Sequence, residues 1–121
     1  MSQAPRLALF RSAPLAFEPT GPAPERIVSG APAGVAADVH ADGRLFSGVW
    51  RSSPGSWRVA YDEWEYCHVT QGRARLHEDG AAPVDVGPGD SFILHPGFTG
   101  VWEVLEPIEK HYVILLPAAA D

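Results

Sequence analysis

The chain has 121 residues, enough for one core and too few for two. Hydrophobic residues make up 45% and charged residues 20%, the balance of an ordinary globular domain. Nine basic against fifteen acidic residues give a net charge of −6, and the arginines are scattered, which argues against nucleic-acid phosphates and anionic lipid as partners.

The single cysteine, Cys67, can form no intramolecular disulfide, and a lone thiol suits a reducing compartment. The opening "MSQAPRLALFRSAPLAFEP" breaks its apolar residues with Pro and Arg and so lacks a signal-peptide pattern. No apolar run approaches the ~20 residues that span a bilayer. The expected location is the cytoplasm, with no membrane partner.

Residues 1–35 are rich in Pro and Ala and hold neither a helical nor a strand period for long. They are expected to form an extended arm with short β pieces at most, its apolar "PLAF" and "ERIVSG" lying on the barrel or on a partner subunit. Residues 36–121 form the expected barrel. A helix near 31–40 is weak, because Gly30, Pro32 and Gly34 interrupt it.

From residue 44 the pattern is β throughout. "RLFSGVWRS" and "SWRVAYDEW" are aromatic and β-branched around an "SSPGS" turn. "EYCHVTQG" sets Cys67 and Val69 on one face, Tyr66 and His68 on the other. "RARLHEDGAAPVDV" sets Arg73, Arg75 and His77 opposite Ala74 and Leu76, with a hairpin signal at Glu78-Asp79-Gly80. "VGPGDSFILHPGF" holds another short strand between Gly-Pro turns. "GVWEVLEP" and "KHYVILLP" complete the set, the last apolar enough to be buried on both faces. About seven or eight short strands with turn signals every 8–12 residues predict an all-β barrel or sandwich.

"YDEWEYCHVTQGRARL" followed by "VGPGDSFILHPGFTGVWEVLEPIEKHYVI" resembles the cupin superfamily, and more narrowly its small single-domain members of the ethanolamine-utilisation and ureidoglycine-aminohydrolase group. The resemblance covers roughly residues 45–116 and implies a double-stranded β-helix, a jelly roll with a pocket at one end. It also implies a metal site of two histidines, a glutamate and a third histidine. Here Glu65 and Gly72 keep the glutamate-to-glycine spacing, and Gly89-Asp90 with Pro96-Gly97 keep the second motif's frame. Val59 and Tyr61 stand where the two histidines belong, and Gly100 where the third does. One carboxylate alone holds a transition ion poorly, so neither the standard metal nor any other cofactor is expected. A substitute site of Glu65, His95 and His111 stays open, although His68 and His77 are sent outward by parity and no pair has ligand spacing.

Alternation groups Trp57, Val59 and Tyr61 on one face, Glu65, Cys67 and Val69 on another, and Gly100, Trp102 and Val104 on a third. The expected pocket is aromatic, with one carboxylate and one thiol, and Gly100 leaves space for a neighbour or a ligand. Glu65 is the candidate catalytic residue, as general acid/base or as the grip on an amine or amide; otherwise it is tied to a backbone N–H or an arginine and closes the barrel. Cys67 reads as a buried inert thiol, since His68 points the other way. The resemblance implies that Lys110 and Tyr112 face the pocket, where the lysine would satisfy Glu65; the alternative is a solvated charge at a strand end. Trp50, Trp57, Trp64 and Trp102 read by default as core or dimer contacts. The arm and the last strand suggest a homodimer.

The function these readings support is a cupin with a small-molecule pocket that lacks most of the usual metal ligands. The alternative is a hydrolase resembling the ureidoglycine aminohydrolases, acting on a small nitrogen metabolite.

Overall fold

The computed structural model describes residues 6–11 and 14–118. Parts of the N-terminal arm (residues 1–5 and 12–13), and the last three residues of the expected barrel, lie outside them. Nine strands run through the described residues: β1 (Glu18–Gly21), β2 (Ile27–Gly30), β3 (Gly34–Asp42), β4 (Leu45–Ser52), β5 (Gly55–Ala60), β6 (Trp64–Glu78), β7 (Val84–Val86), β8 (Ser91–Leu94) and β9 (Thr99–Leu115). The only helical piece among them is a 3-10 turn at Pro24–Arg26.

Two long antiparallel strands organise the rest. β6 and β9 pair with each other from Trp64↔Leu115 to Glu78↔Gly100. Each also serves two other neighbours. The first half of β6 pairs with β8 and the second half with β7. The first half of β9 pairs with β5 and the second half with β4. The register slips between Val69 and Ala74, so both strands turn a corner there and pass from one layer of the barrel to the other.

This corner explains why the local pattern reads as four strands where there are two. Gly72 and Pro107 look like strand ends in the sequence. In the fold Gly72 has φ +78°, and a Cβ on it would collide with the Pro107 carbonyl. Only glycine lets the two backbones meet so closely while turning, and proline is tolerated where the ladder is already broken.

Two further expectations are corrected. The weak helix near 31–40 is instead β3, because residues 34–42 pair with β4 along almost their whole length. The last strand is not buried on both faces: Ile108, Lys110 and Tyr112 are buried, while Glu109, His111 and Val113 between them are half-buried on the outer side. The segment before residue 36 holds two short β pieces that join the barrel. β1 pairs with β3 and β2 with β5, and β3 spans the boundary drawn at 35/36.

The core lies between the layers. Cys67, Val69, Ala74 and Leu76 of β6 pack with Trp102, Val104 and Ile108 of β9, joined by Trp57, Val86 and Leu94. The outer face is polar and paired: Arg51 Nε donates to Glu109 at 2.8 Å, Thr70 Oγ1 donates to the same carboxylate at 2.8 Å, and His77 Nε2 lies 2.8 Å from Glu103.

Gly100 sits where β9 passes over the end of β6, and a Cβ there would run into the His77 carbonyl oxygen. Backbone cannot swing aside as a flexible side chain can. Gly100→Ala is therefore expected to lower unfolding free energy by about 1–3 kcal/mol in urea titrations. An unchanged midpoint would show that the crossing is looser than this geometry.

Candidate functional site

β4, β5, β6 and β9 turn one set of side chains toward a cavity of about 450 Å3. Cross-strand pairing decides which ones, since directly opposite residues share a face. Trp57 of β5 is opposite Trp102 of β9, and Trp50 of β4 is opposite Lys110 of β9. Cys67 of β6 is opposite Tyr112 of β9.

The floor of the cavity is a buried ion pair. Lys110 Nζ donates to Glu65 Oε2 at 2.8 Å, and both side chains are only 6% exposed. Cys67 Sγ lies 3.4 Å from the same oxygen and 3.5 Å from the ammonium. Trp50 and Trp102 cover Lys110 Nζ, with ring centroids at 4.7 and 4.5 Å. The aromatic groups also hold one another. Trp57 stacks parallel to Trp102 at 6.5 Å between centroids, Trp50 tilts against both, and Trp102 Nε1 donates to Tyr61 Oη at 3.0 Å. At the rim Tyr112 Oη donates to Asp38 Oδ1 at 2.6 Å. Gly48, opposite Tyr112, leaves the phenol its room, since a Cβ there would crowd the hydroxyl and collide with the Ala37 carbonyl.

These surroundings set the protonation states. Burial pushes the Cys67 thiol up to about 12, Glu65 adding to the rise and Lys110 opposing it, so a neutral thiol prevails near pH 7. Burial likewise pushes the Tyr61 phenol up, and burial with the Asp38 hydrogen bond raises Tyr112. Burial alone would push the Lys110 ammonium down, but its neighbours Cys67, Glu65 and Tyr61 outweigh that and hold it above the ordinary lysine range. Lys110 is therefore a fixed cation and a hydrogen-bond donor, not a base or a free amine nucleophile.

Of the residues singled out in the sequence, Trp57, Tyr61, Glu65, Trp102, Lys110 and Tyr112 line this cavity. Cys67 lies behind its floor, 0% exposed. Gly100 does not line it; the glycine there makes room for the β6 backbone and not for a ligand. Glu65 is tied to a lysine, not to an arginine or a backbone N–H. Among the lining residues that the sequence reading did not assign to the site are Trp50, Asp38, Phe46 and Glu63. Trp50 was read as a default core residue, and only its register opposite Lys110 turns it to the site. Asp38 lay in the segment read as a weak helix, while Phe46 and Glu63 carried no sequence signal.

A divalent ion does not fit this donor set. Val59, Tyr61 and Gly100 offer no imidazole, and Glu65 already faces an ammonium. The substitute set is not brought together: Glu65 is buried inside, His111 is half-buried on the outer face against His68, and His95 is exposed in the turn after β8. Among the described residues no group of three or more His, Cys, Asp and Glu could hold a metal.

An all-β jelly roll closed around such a cavity is a cupin fold. Residues 39–112 match the family model of the EutQ-like cupin domain, and the chain belongs to that family. It is similar to a protein of unknown function of the DUF861 family from Pseudomonas syringae pv. tomato, with a TM-score of 0.75 and 22% identity over 82% of this chain and 44% of that one. It is similar to the Clostridium difficile EutQ protein, with a TM-score of 0.64 and 17% identity over 70% of this chain and 64% of that one. It also resembles a predicted oxalate decarboxylase from Thermotoga maritima, with a TM-score of 0.67 and 16% identity over 90% of this chain and 99% of that one. At such identities the likeness is one of fold alone, and the chain spans less than two thirds of the first two proteins. No curated protein matches it in sequence. No helix among the described residues is long and apolar enough to cross a membrane.

Two outcomes test the site. Native protein at pH 8 is expected to leave Cys67 unlabelled by a disulfide reagent such as DTNB, with labelling at the rate of unfolding; fast stoichiometric labelling of folded protein would contradict its burial. Lys110→Met strands the Glu65 carboxylate and is expected to cost about 3–5 kcal/mol, whereas Glu65→Gln/Lys110→Met, which removes both charges, should cost clearly less. The folded Lys110 value lies above the unfolded one, so its contribution is complete below about pH 10 and is lost as pH rises further. A gap between wild type and the double variant that closed on going from pH 7 to 9 would contradict this.

Proposed function

We propose that this chain is a small-molecule-binding cupin that works without a bound metal, its ligand seated above the Glu65–Lys110 pair. The supporting observation is that buried ion pair at the floor of an aromatic cavity, since a largely apolar hollow with few convergent polar groups is the usual form of a ligand site. In this reading the tryptophans and Tyr61 supply contact area and exclude water, Lys110 holds Glu65 in place, and Glu65 meets the ligand. If the site is catalytic, Glu65 is its acid/base group, because the Cys67 thiol and the Lys110 ammonium are both held in unreactive protonation states.

The hydrolase alternative resembles enzymes whose chemistry on nitrogen metabolites relies on a divalent ion, and the donor set here does not fit one. No separate observation favours it.

The proposal includes a homodimer in the cytoplasm. β1, β2, β7 and β8 each pair with a single neighbour, and Val28, Val84 and Ile93 on three of them are exposed, so a second copy has edges to cover. A buried free thiol suits a reducing compartment.

A fragment screen by ligand-observed NMR, with tryptophan fluorescence as the second readout, tests the cavity. Molecules that bind the wild type are expected to lose binding to Glu65→Gln/Lys110→Met while that variant still melts cooperatively. A ligand at ~100 times its Kd should raise wild-type stability by about 2.7 kcal/mol. Ligands held equally by both proteins would place the binding site elsewhere.

A further inference from the structure

We propose that the ligand of this cavity is a small organic cation, a protonated amine, held by the free oxygen of Glu65 and the rim carboxylates of Asp38 and Glu63 against the aromatic walls. This rests on the reading of the cavity as a ligand site and adds the chemical class.

Charge gives the first argument. The cavity is lined by three carboxylates, Asp38, Glu63 and Glu65, against one ammonium, Lys110. That ammonium is already engaged by Glu65 Oε2 and covered by two indole faces. The phenols and the thiol nearby stay neutral, so they do not alter the balance. An anion entering here would be desolvated next to two carboxylates that have no cationic partner among the described residues, which is unfavourable.

Unfilled acceptors give the second. Both hydrogen bonds that the Glu65 carboxylate accepts from described residues, from Lys110 and from Cys67, fall on Oε2. Among the described residues nothing donates to Oε1, although Glu65 is only 5% exposed and lines the cavity. No fully buried side-chain oxygen among the described residues lacks a partner, so Oε1 is open to the cavity, where a charge-assisted hydrogen bond from a ligand would complete it. Asp38 has one oxygen occupied by Tyr112 and another left over; the Asp62 N–H lies 3.2 Å from Glu63 Oε1. The site therefore offers acceptors in surplus, and an ammonium brings up to three donors.

The walls give the third. Lys110 shows that these indoles hold an ammonium at 4.5–4.7 Å, and Trp57 and Tyr61 line the same cavity.

Butylammonium, butan-1-ol and butyrate share a chain length and differ in headgroup charge. Titrated separately at pH 7 and low salt, by tryptophan fluorescence and ligand-observed NMR, butylammonium is expected to bind at least about tenfold tighter than either other probe. Its affinity should fall as salt rises. Asp38→Asn keeps an acceptor for Tyr112, and Glu63→Gln lies outside the buried pair. Each is expected to weaken butylammonium several-fold, and butan-1-ol clearly less, while the variant still melts cooperatively. Butyrate binding as tightly as butylammonium overturns the inference and leaves the cavity as a site for another ligand class; butylammonium binding that neither substitution weakens overturns it too. Binding of none of the three also overturns it, and the fragment screen then decides the cavity separately.

Discussion

Taking a carboxylate out of water is expensive unless a positive charge accompanies it, and the interior of this barrel is arranged around that requirement at Glu65. Lys110 supplies the charge from the neighbouring long strand at 2.8 Å. The ammonium must then be desolvated in turn, and Trp50 and Trp102 replace its water with indole faces. Those indoles are held by Trp57 and by the hydroxyl of Tyr61. The polar floor and the aromatic walls are thus in direct contact, the indoles covering the ammonium that pairs with Glu65.

The pair meets only because β6 and β9 run side by side past a shared corner. On each strand the residues before and after the corner belong to different layers, so a single ladder carries both halves of the barrel. Gly72 and Pro107 make the turn possible by close backbone contact. Gly100 does similar work at the far end of the ladder, under the His77 carbonyl. Glycines that look like vacancies in a motif are here points of contact between strands.

Family membership gives the fold, and the chemistry has to be read from the site. The family membership of residues 39–112 sets the barrel and its pocket. The pocket's contents are particular: a covalently attached cation stands beside the glutamate, and of Val59, Tyr61 and Gly100, the positions that resemblance assigns to histidine, only Tyr61 lines the cavity. A lysine cannot leave, exchange or polarise a substrate as a metal does, but it holds the glutamate in a defined position and leaves one of its oxygens free.

The sequence by itself determined the all-β class, the approximate strand positions from residue 44 onward, and the inward parity of Glu65, Cys67 and Trp102, because alternation and turn residues are local properties of the chain. It also showed Val59, Tyr61 and Gly100 at the positions that the family resemblance assigns to histidine, two without a lone pair and one a neutral phenol, which is a poor ligand. The tertiary structure alone decided what is opposite what. Lys110 as partner of Glu65, Trp50 as a wall, Asp38 at the rim, β3 in place of a weak helix, and two bent strands in place of four all depend on register. Register comes from pairing between segments far apart in the chain, and no local pattern of apolar and polar residues encodes it.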